Sequence, residues 1–361
     1  IKYSDGTNTT TVAPINSTPY TFIAPGGPGT TYTLTTVTDS SGCISIPSDI
    51  TGSATVPPAG SGGIVWNGTA NTDWNNANNW TPSGVPTSSD CVTIPDMSGG
   101  NDPIISGATD ADCFSLLVEL GGVLTVQPGG TITVEQTVTV ESGGLFELEG
   151  LQQNTAQLIQ VSDVNNSGNI VLTRDTNVRS QDYVYWSSPV ENYSITNIPS
   201  NFRFEWIPTI GGNPGQYGDW SAYSGIMNEG QGYIVRGPNG NGNSADVATW
   251  NSIVFTGVPH NGDVSVPISR GSFTGPTILN GPGVEDNITA EEDNWNLVGN
   301  PYPSALDADD FINANSDLDG TVYLWTHGTR INSGFGSPYY GTYSYNYNQA
   351  DYTEYNLSGS T

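Results

Sequence analysis

The chain is 361 residues long and sets 7 Lys and Arg against 35 Asp and Glu, a formal net charge of -28. A surface of that sign repels nucleic-acid phosphates and anionic membranes, which excludes both as partners, and no apolar run reaches the roughly 20 residues of a membrane-spanning helix. Charged residues make up only 12% of the sequence; 45 Gly, 24 Pro, 9 Trp and 18 Tyr among abundant Ser, Thr and Asn disfavour helix and supply frequent turns, as in an all-β protein of two or three domains.

In the first segment, residues 1–56, Tyr20–Ile23 and Thr31–Leu34 alternate with period two around a Pro25–Gly29 turn. Val37–Cys43 adds a strand end and a tight turn. This pattern resembles the last strands of the immunoglobulin-like or PKD-like sandwiches of bacterial surface proteins, which implies a truncated sandwich. Ile1 falls inside a strand pattern, so the chain is expected to be a mature fragment of a longer protein. Residues 57–63, rich in Pro, Gly and Ser, read as a linker.

Residues 64–175 carry a repeat. Gly121-Gly122-Val123-Leu124-Thr125-Val126 returns as Gly143-Gly144-Leu145-Phe146-Glu147-Leu148, and Ser167–Leu172 is a looser third copy. Short strands with glycine corners at that period predict one β-solenoid coil per repeat. Stacked coils need an end cap, and Trp66, Trp74 and Trp80 are placed to form it.

Residues 176–361 predict an aromatic-rich, β-sandwich-like module, with strands at Tyr183–Trp186, Phe202–Trp206, Gly232–Val235, Ile253–Phe255, Val264–Ile268, Trp295–Val298 and Thr321–Trp325. One short helix is expected after the capping-box pattern Ser304–Asp307, with Leu306, Phe311 and Ile312 facing the core.

Nucleophilic catalysis usually needs a histidine. His260 and His327 both read as solvent-facing turn or strand-end residues, and no Gly-x-Ser-x-Gly elbow occurs. A glycoside hydrolase needs only two carboxylates at a set separation, and nothing in the sequence marks a pair. Asn313, Asn315, Asp317 and Asp319 place oxygen ligands at alternate positions before Gly320, as a calcium loop requires. The EF-hand pattern fails, since Thr326 stands where its bidentate glutamate belongs, and a hydrated Asx-rich turn is the competing reading. Tyr343, Tyr345 and Tyr347 share one face of a strand, a geometry able to stack on sugar rings and equally able to pack on a core. Scarce lysine with abundant Ser, Thr, Asn and Gly points to an extracellular protein. A Cys91–Cys113 disulfide is then expected, leaving Cys43 odd.

The run Asn294–Ala305 (NWNLVGNPYPSA), with Tyr323-Leu324-Trp325 and Met227–Tyr233 (MNEGQGY), is distinctive. Together they resemble β-rich modules of large secreted or surface-anchored Bacteroidetes proteins, gliding or adhesin-like cargo of the type nine secretion system. The Trp66…Trp80…Pro86 stretch resembles the solenoid start of the same proteins. The resemblance implies partnership with that secretion machinery, display on the cell surface and adhesion to surface glycans or proteins, without membrane insertion. The functional expectation is a non-enzymatic adhesin or surface-filament segment; the alternative is a secreted carbohydrate-binding or carbohydrate-active protein.

Overall fold

The computed structural model describes residues 1–4, 7, 9–11, 31–38, 44–46, 50, 53–55, 63–211, 215–237, 247–274, 278–279, 287–288, 293–326 and 352–360. The chain is all-β. In the first segment, β1 (Lys2–Ser4), β2 (Thr9–Thr11), β3 (Thr31–Thr36) and β4 (Ser53–Thr55) form a four-stranded antiparallel sheet ordered β2-β1-β3-β4. The buried rings of Tyr3 and Tyr32 meet edge-on at 5.5 Å between its two central strands. The expected strand at Tyr20–Ile23, the Pro25–Gly29 turn and Cys43 lie outside the described residues.

The repeat folds as a parallel β-solenoid of about four turns. Its strands are β5 (Ile64–Trp66), β6 (Trp80–Thr81), β7 (Cys91–Ile94), β8 (Ile104–Ile105), β9 (Asp110–Cys113), β10 (Ser115–Val118), β11 (Val123–Val126), β12 (Thr131–Val134), β13 (Val138–Val140) and β14 (Leu145–Leu148). After a small hairpin, β15 (Gly150–Leu151) and β16 (Asn154–Thr155), come β17 (Gln157–Gln160) and the long β18 (Ile170–Val178). Each coil gives one strand to each of three walls: β7, β8 and β9, then β10, β11 and β12, then β13, β14 and β17. Val123 pairs with Leu145, each the residue after its Gly-Gly corner, as the sequence repeat requires. Thr131 pairs with Gln157, a longer step along the chain, because the β15–β16 hairpin is inserted into the third coil.

Two sequence features produce this stack. Alternation along each short strand turns every second residue inward, so Val92, Leu116 and Val138 fill one wall of the core, Leu124, Phe146 and Ile170 another, and Ala111, Ile132 and Leu158 the third. The paired glycines make the corners. Gly121 and Gly143 have positive φ, 81° and 94°. A side chain on the second glycine would collide with the coil below, because a Cβ at Gly122 would lie 2.3 Å from the Ile94 carbonyl oxygen and one at Gly144 2.7 Å from that of Glu119.

The three tryptophans form the expected cap. Trp80 stands edge-on to Trp66 at 4.9 Å and to Trp74 at 4.7 Å, and all three are buried. Behind them Asn79 is fully buried and fully bonded. Its oxygen accepts from the Ala70 and Asn71 amides, and its nitrogen donates to Asn71 Oδ1 and the Asp73 carbonyl. That satisfaction is what makes a buried amide tolerable.

The remaining elements are β19 (Tyr183–Trp186), β20 (Arg203–Ile207), β21 (Asp219–Ala222), β22 (Tyr233–Arg236), β23 (Thr249–Gly257), the pair β24 (Ile278–Leu279) and β25 (Asn287–Ile288), α1 (Ala308–Ala314), β26 (Thr321–Trp325), β27 (Tyr352–Asn356) and β28 (Gly359–Ser360). The expected division at 175/176 does not separate two cores. β18 runs straight through it and pairs antiparallel with β23 from Ile170↔Gly257 to Val178↔Thr249. The solenoid core continues into Val190, Tyr193, Ile195, Met227, Tyr233, Val235 and Phe255.

The sheet β19-β22-β20-β21 is antiparallel, and its register gives it two faces. Trp186, Tyr233 and Val235 lie on one and join the solenoid core. Tyr183, Tyr185, Phe204, Trp206 and Trp220 lie on the other, and at Tyr183 and Tyr185 this face meets the β26-β27-β28 sheet: Trp325 Nε1 donates to the Tyr183 carbonyl, and the Tyr185 and Tyr352 hydroxyls bond each other. The helix starts later than its expected cap. Asp307, not Ser304, accepts from the Asp309 and Asp310 amides, as a carboxylate suits the N-terminus. Leu306 is therefore outside the helix and exposed, while Ile312 is buried as expected.

Phe146→Ala should cost about 3–5 kcal/mol in urea unfolding, because it empties the middle of the coil stack, whereas Leu151→Ala on the exposed hairpin should stay within about 0.5 kcal/mol. Alkali should also unfold the chain. Burial pushes the phenol of Tyr193 up to about 12 and those of Tyr185 and Tyr233 upward too. Stability from such groups is complete below the ordinary tyrosine value of about 10 and is lost progressively as pH rises from there through the raised native value. Tyr193 OH is buried and has no hydrogen-bond partner among the described residues. Tyr193→Phe should therefore leave neutral stability unchanged or raised and flatten the alkaline loss, read by circular dichroism against pH.

Candidate functional site

The two distinctive motifs meet, and their contact is mainly backbone on backbone. Gln231 bridges Val298, the Gly232 amide donates to the Leu297 carbonyl, and the Gly299 amide donates to the Gly230 carbonyl. No side chain fits there: a Cβ on Gly299 would lie 2.4 Å from Ser187 Cβ. Asn300 then shapes the Pro-Tyr-Pro turn, accepting from the Tyr302 amide at 2.9 Å and donating to the Ser304 carbonyl at 2.7 Å. Beyond it the strap lies along β17, the last strand of its wall. Pro303 O accepts from the Leu158 amide and from Arg174 Nη2, both at 3.2 Å, and Gln157 Oε1 accepts from the Ala305 amide. Burial lowers the Arg174 guanidinium to about 10. The signature is thus a clip that satisfies the exposed end of the coil stack.

Glu229, from the same motif pair, reaches His260. Glu229 Oε1 lies 2.9 Å from His260 Nδ1, and the imidazole is only 8% exposed. This corrects the solvent-facing expectation: Val190 bridges Pro259, and the His260 amide donates to the Pro189 carbonyl, which fold the turn inward. His260 Nε2 is buried and has no hydrogen-bond partner among the described residues. Tyr302 donates to the Gly262 carbonyl, and burial, then the carboxylates of Asp263, Glu229 and Asp163, push its phenol upward. His327 lies outside the described residues.

The proposed calcium ligands are spread over two kinds of structure. Asn313 lies in α1, Asn315 is its C-cap and donates to the Phe311 carbonyl, and Asp317 lies in the following turn. Asp319 accepts from the Thr321 amide at 3.0 Å. These local bonds match the Asx-turn reading. Among the described residues no group of three or more His, Cys, Asp and Glu is placed to hold a metal ion.

Cys91 and Cys113 are free thiols, not the expected disulfide. Strand alternation explains this. Cys113 points into the core with Ala111, whereas Cys91 takes an outward position on β7, opposite in phase to buried Val92 and Ile94. Burial, followed by nearby acidic groups, pushes the Cys113 thiol upward.

Two surfaces were not marked in the sequence. One is an open groove of about 620 Å³ beside the β15–β16 hairpin, lined by Gln127, Glu147, Glu149, Asn154 and Thr173 among others. Glu147 and Glu149 alternate with buried Leu148, so period-two reading places both carboxylates on the outer wall; the inserted hairpin forms one side of the groove. The other is an aromatic band. Trp206 and Trp220 meet edge-on at 5.1 Å, Trp206 Nε1 donates to the Trp295 carbonyl at 2.8 Å, and Trp295 meets Tyr323 at 4.7 Å. Tyr343, Tyr345 and Tyr347 lie outside the described residues, in the connection between β26 and β27.

A family model described as a domain of unknown function, DUF8693, matches residues 65–361. The chain belongs to that family. The DUF8693 match starts within β5 and covers cap, coils, clip and aromatic sheets together; one core joins the cap and coils to a face of the first aromatic sheet. No curated protein and no solved structure matches the chain.

Alkylation of the native protein should label Cys91 and leave Cys113 unmodified until denaturant is added, as read by peptide mapping. A bridged pair would resist labelling even in denaturant until reduced.

Proposed function

We propose that this DUF8693 chain is a segment of a non-enzymatic extracellular adhesin or surface filament, exported by a type nine secretion system. The observation that carries this is the continuity of its core. One apolar stack runs from the Trp66/Trp74/Trp80 cap through the coils and, by way of β18 and β23, into the face of the β19–β22 sheet. Coils joined by parallel ladders and bonded to the following module without a hinge resist bending, which suits a spacer that holds a contact surface away from a cell. The net charge of -28 keeps such a surface from self-association. The glycan reading of the sequence is compatible with this one, since an adhesin whose target is a glycan is both.

The test is made on intact cells of the source organism. Antibody against residues 65–361 should label unpermeabilised cells, protease added outside should remove the label, and disabling the type nine machinery should trap the protein inside. Deleting the gene should reduce attachment to surfaces, with recovery on complementation. Labelling only after lysis, or attachment unaffected by deletion, would overturn the proposal.

A further inference from the structure

We infer that the band formed by Trp206, Trp220, Trp295 and Tyr323 is a binding platform for an uncharged polysaccharide. This rests on the adhesin reading and adds the chemistry of its target. Trp206 and Trp220 are cross-strand partners on the face of the β19-β22-β20-β21 sheet turned away from the solenoid. Both are half-buried, and Trp295 beside them remains 41% exposed.

The rings are held before any ligand arrives. Trp206 packs on the backbone at Gly218, where a Cβ would lie 2.1 Å from its Cζ2, and its N–H is committed to the Trp295 carbonyl. Tyr323 abuts Trp295 at an interplanar angle of 72°, and Trp206 meets Trp220 at 70°. What these side chains offer a ligand is therefore ring surface in fixed, crossed orientations, at little ordering cost.

Apolar side chains, stacked bases and sugar rings all present matching faces; the dimer outcome of the test below separates the first, and charge separates the other two. Charge decides against bases, because their phosphates meet a chain of net charge -28 with 7 cationic side chains. It decides equally against uronic-acid and sulfated glycans. A neutral pyranose meets no such repulsion, and its axial C–H groups, slightly positive, lie against the negative face of an indole. Crossed rings suit a twisted polymer that shows different sugar faces along its length. The flanking Asn294 is exposed and able to hydrogen-bond the hydroxyls.

The experiment is affinity electrophoresis of the full chain in gels holding hydroxyethylcellulose, xylan or mannan, with hyaluronan as an anionic control. At least one neutral polymer should retard the protein, and hyaluronan should not. Trp295→Ala should weaken that retardation about tenfold or more, while Trp295→Phe retains most of it. Oxidative footprinting should show Trp295 and Tyr323 protected by the retarding polymer, so the test does not depend on the variant folding; a melting curve checks that it does. Retardation by none of the three, retardation undiminished in a folded Trp295→Ala, or protection at the Glu147/Glu149 groove instead would overturn the inference. A dimer that Trp295→Ala dissociates, without polysaccharide binding, would overturn it in favour of a second copy. Failure here with surface labelling and attachment intact removes only the glycan. Intracellular protein that still binds the polymer removes only the adhesin.

Discussion

The structure depends on one constraint: a coil of the solenoid cannot cover its own apolar side chains or its own backbone groups. Val126 is dry only because Leu148 lies above it and Ile105 below, and the Gly122 carbonyl is satisfied by the Leu145 amide of the next coil. Both ends of such a stack are open problems. The first is closed by indoles over a buried, fully bonded asparagine. The other is closed by two devices at once, the antiparallel β23 along β18 and the Pro-Tyr-Pro strap along β17.

That second closure explains why cap, coils and aromatic sheets form one family unit. The strap along β17 continues from the close backbone contact of Gly230 and Gly232 with Leu297 and Gly299, and the histidine turn packs beside it through Glu229 and Tyr302. The most recognisable letters in the chain are thus spent on joining two parts. The carboxylate groove and the tryptophan band are built from less conspicuous residues.

The coil register was legible because the repeat spells it twice, and the cap because three tryptophans precede the first repeat. The disulfide and solvent-facing His260 were misread for a common reason. Phase along a strand and packing over a turn are not set by residue type. Cys91 and Cys113 look equivalent as letters, yet alternation turns only Cys113 inward. The expected boundary at residue 175 follows a change in composition, whereas β18 runs across it.

By itself, then, the sequence determined what depends on local and periodic chemistry: an all-β chain, repeated short strands with glycine corners, a tryptophan cap, one short helix and a strongly anionic surface. Only the tertiary structure decided what depends on distant segments meeting. It placed Trp206 beside Trp295, 89 residues apart, and Pro303 beside Arg174, 129 residues apart. It also set the hairpin as one side of a groove along the outer wall bearing Glu147 and Glu149. Such contacts are set by the packing of whole sheets, and no window of neighbouring residues encodes that packing.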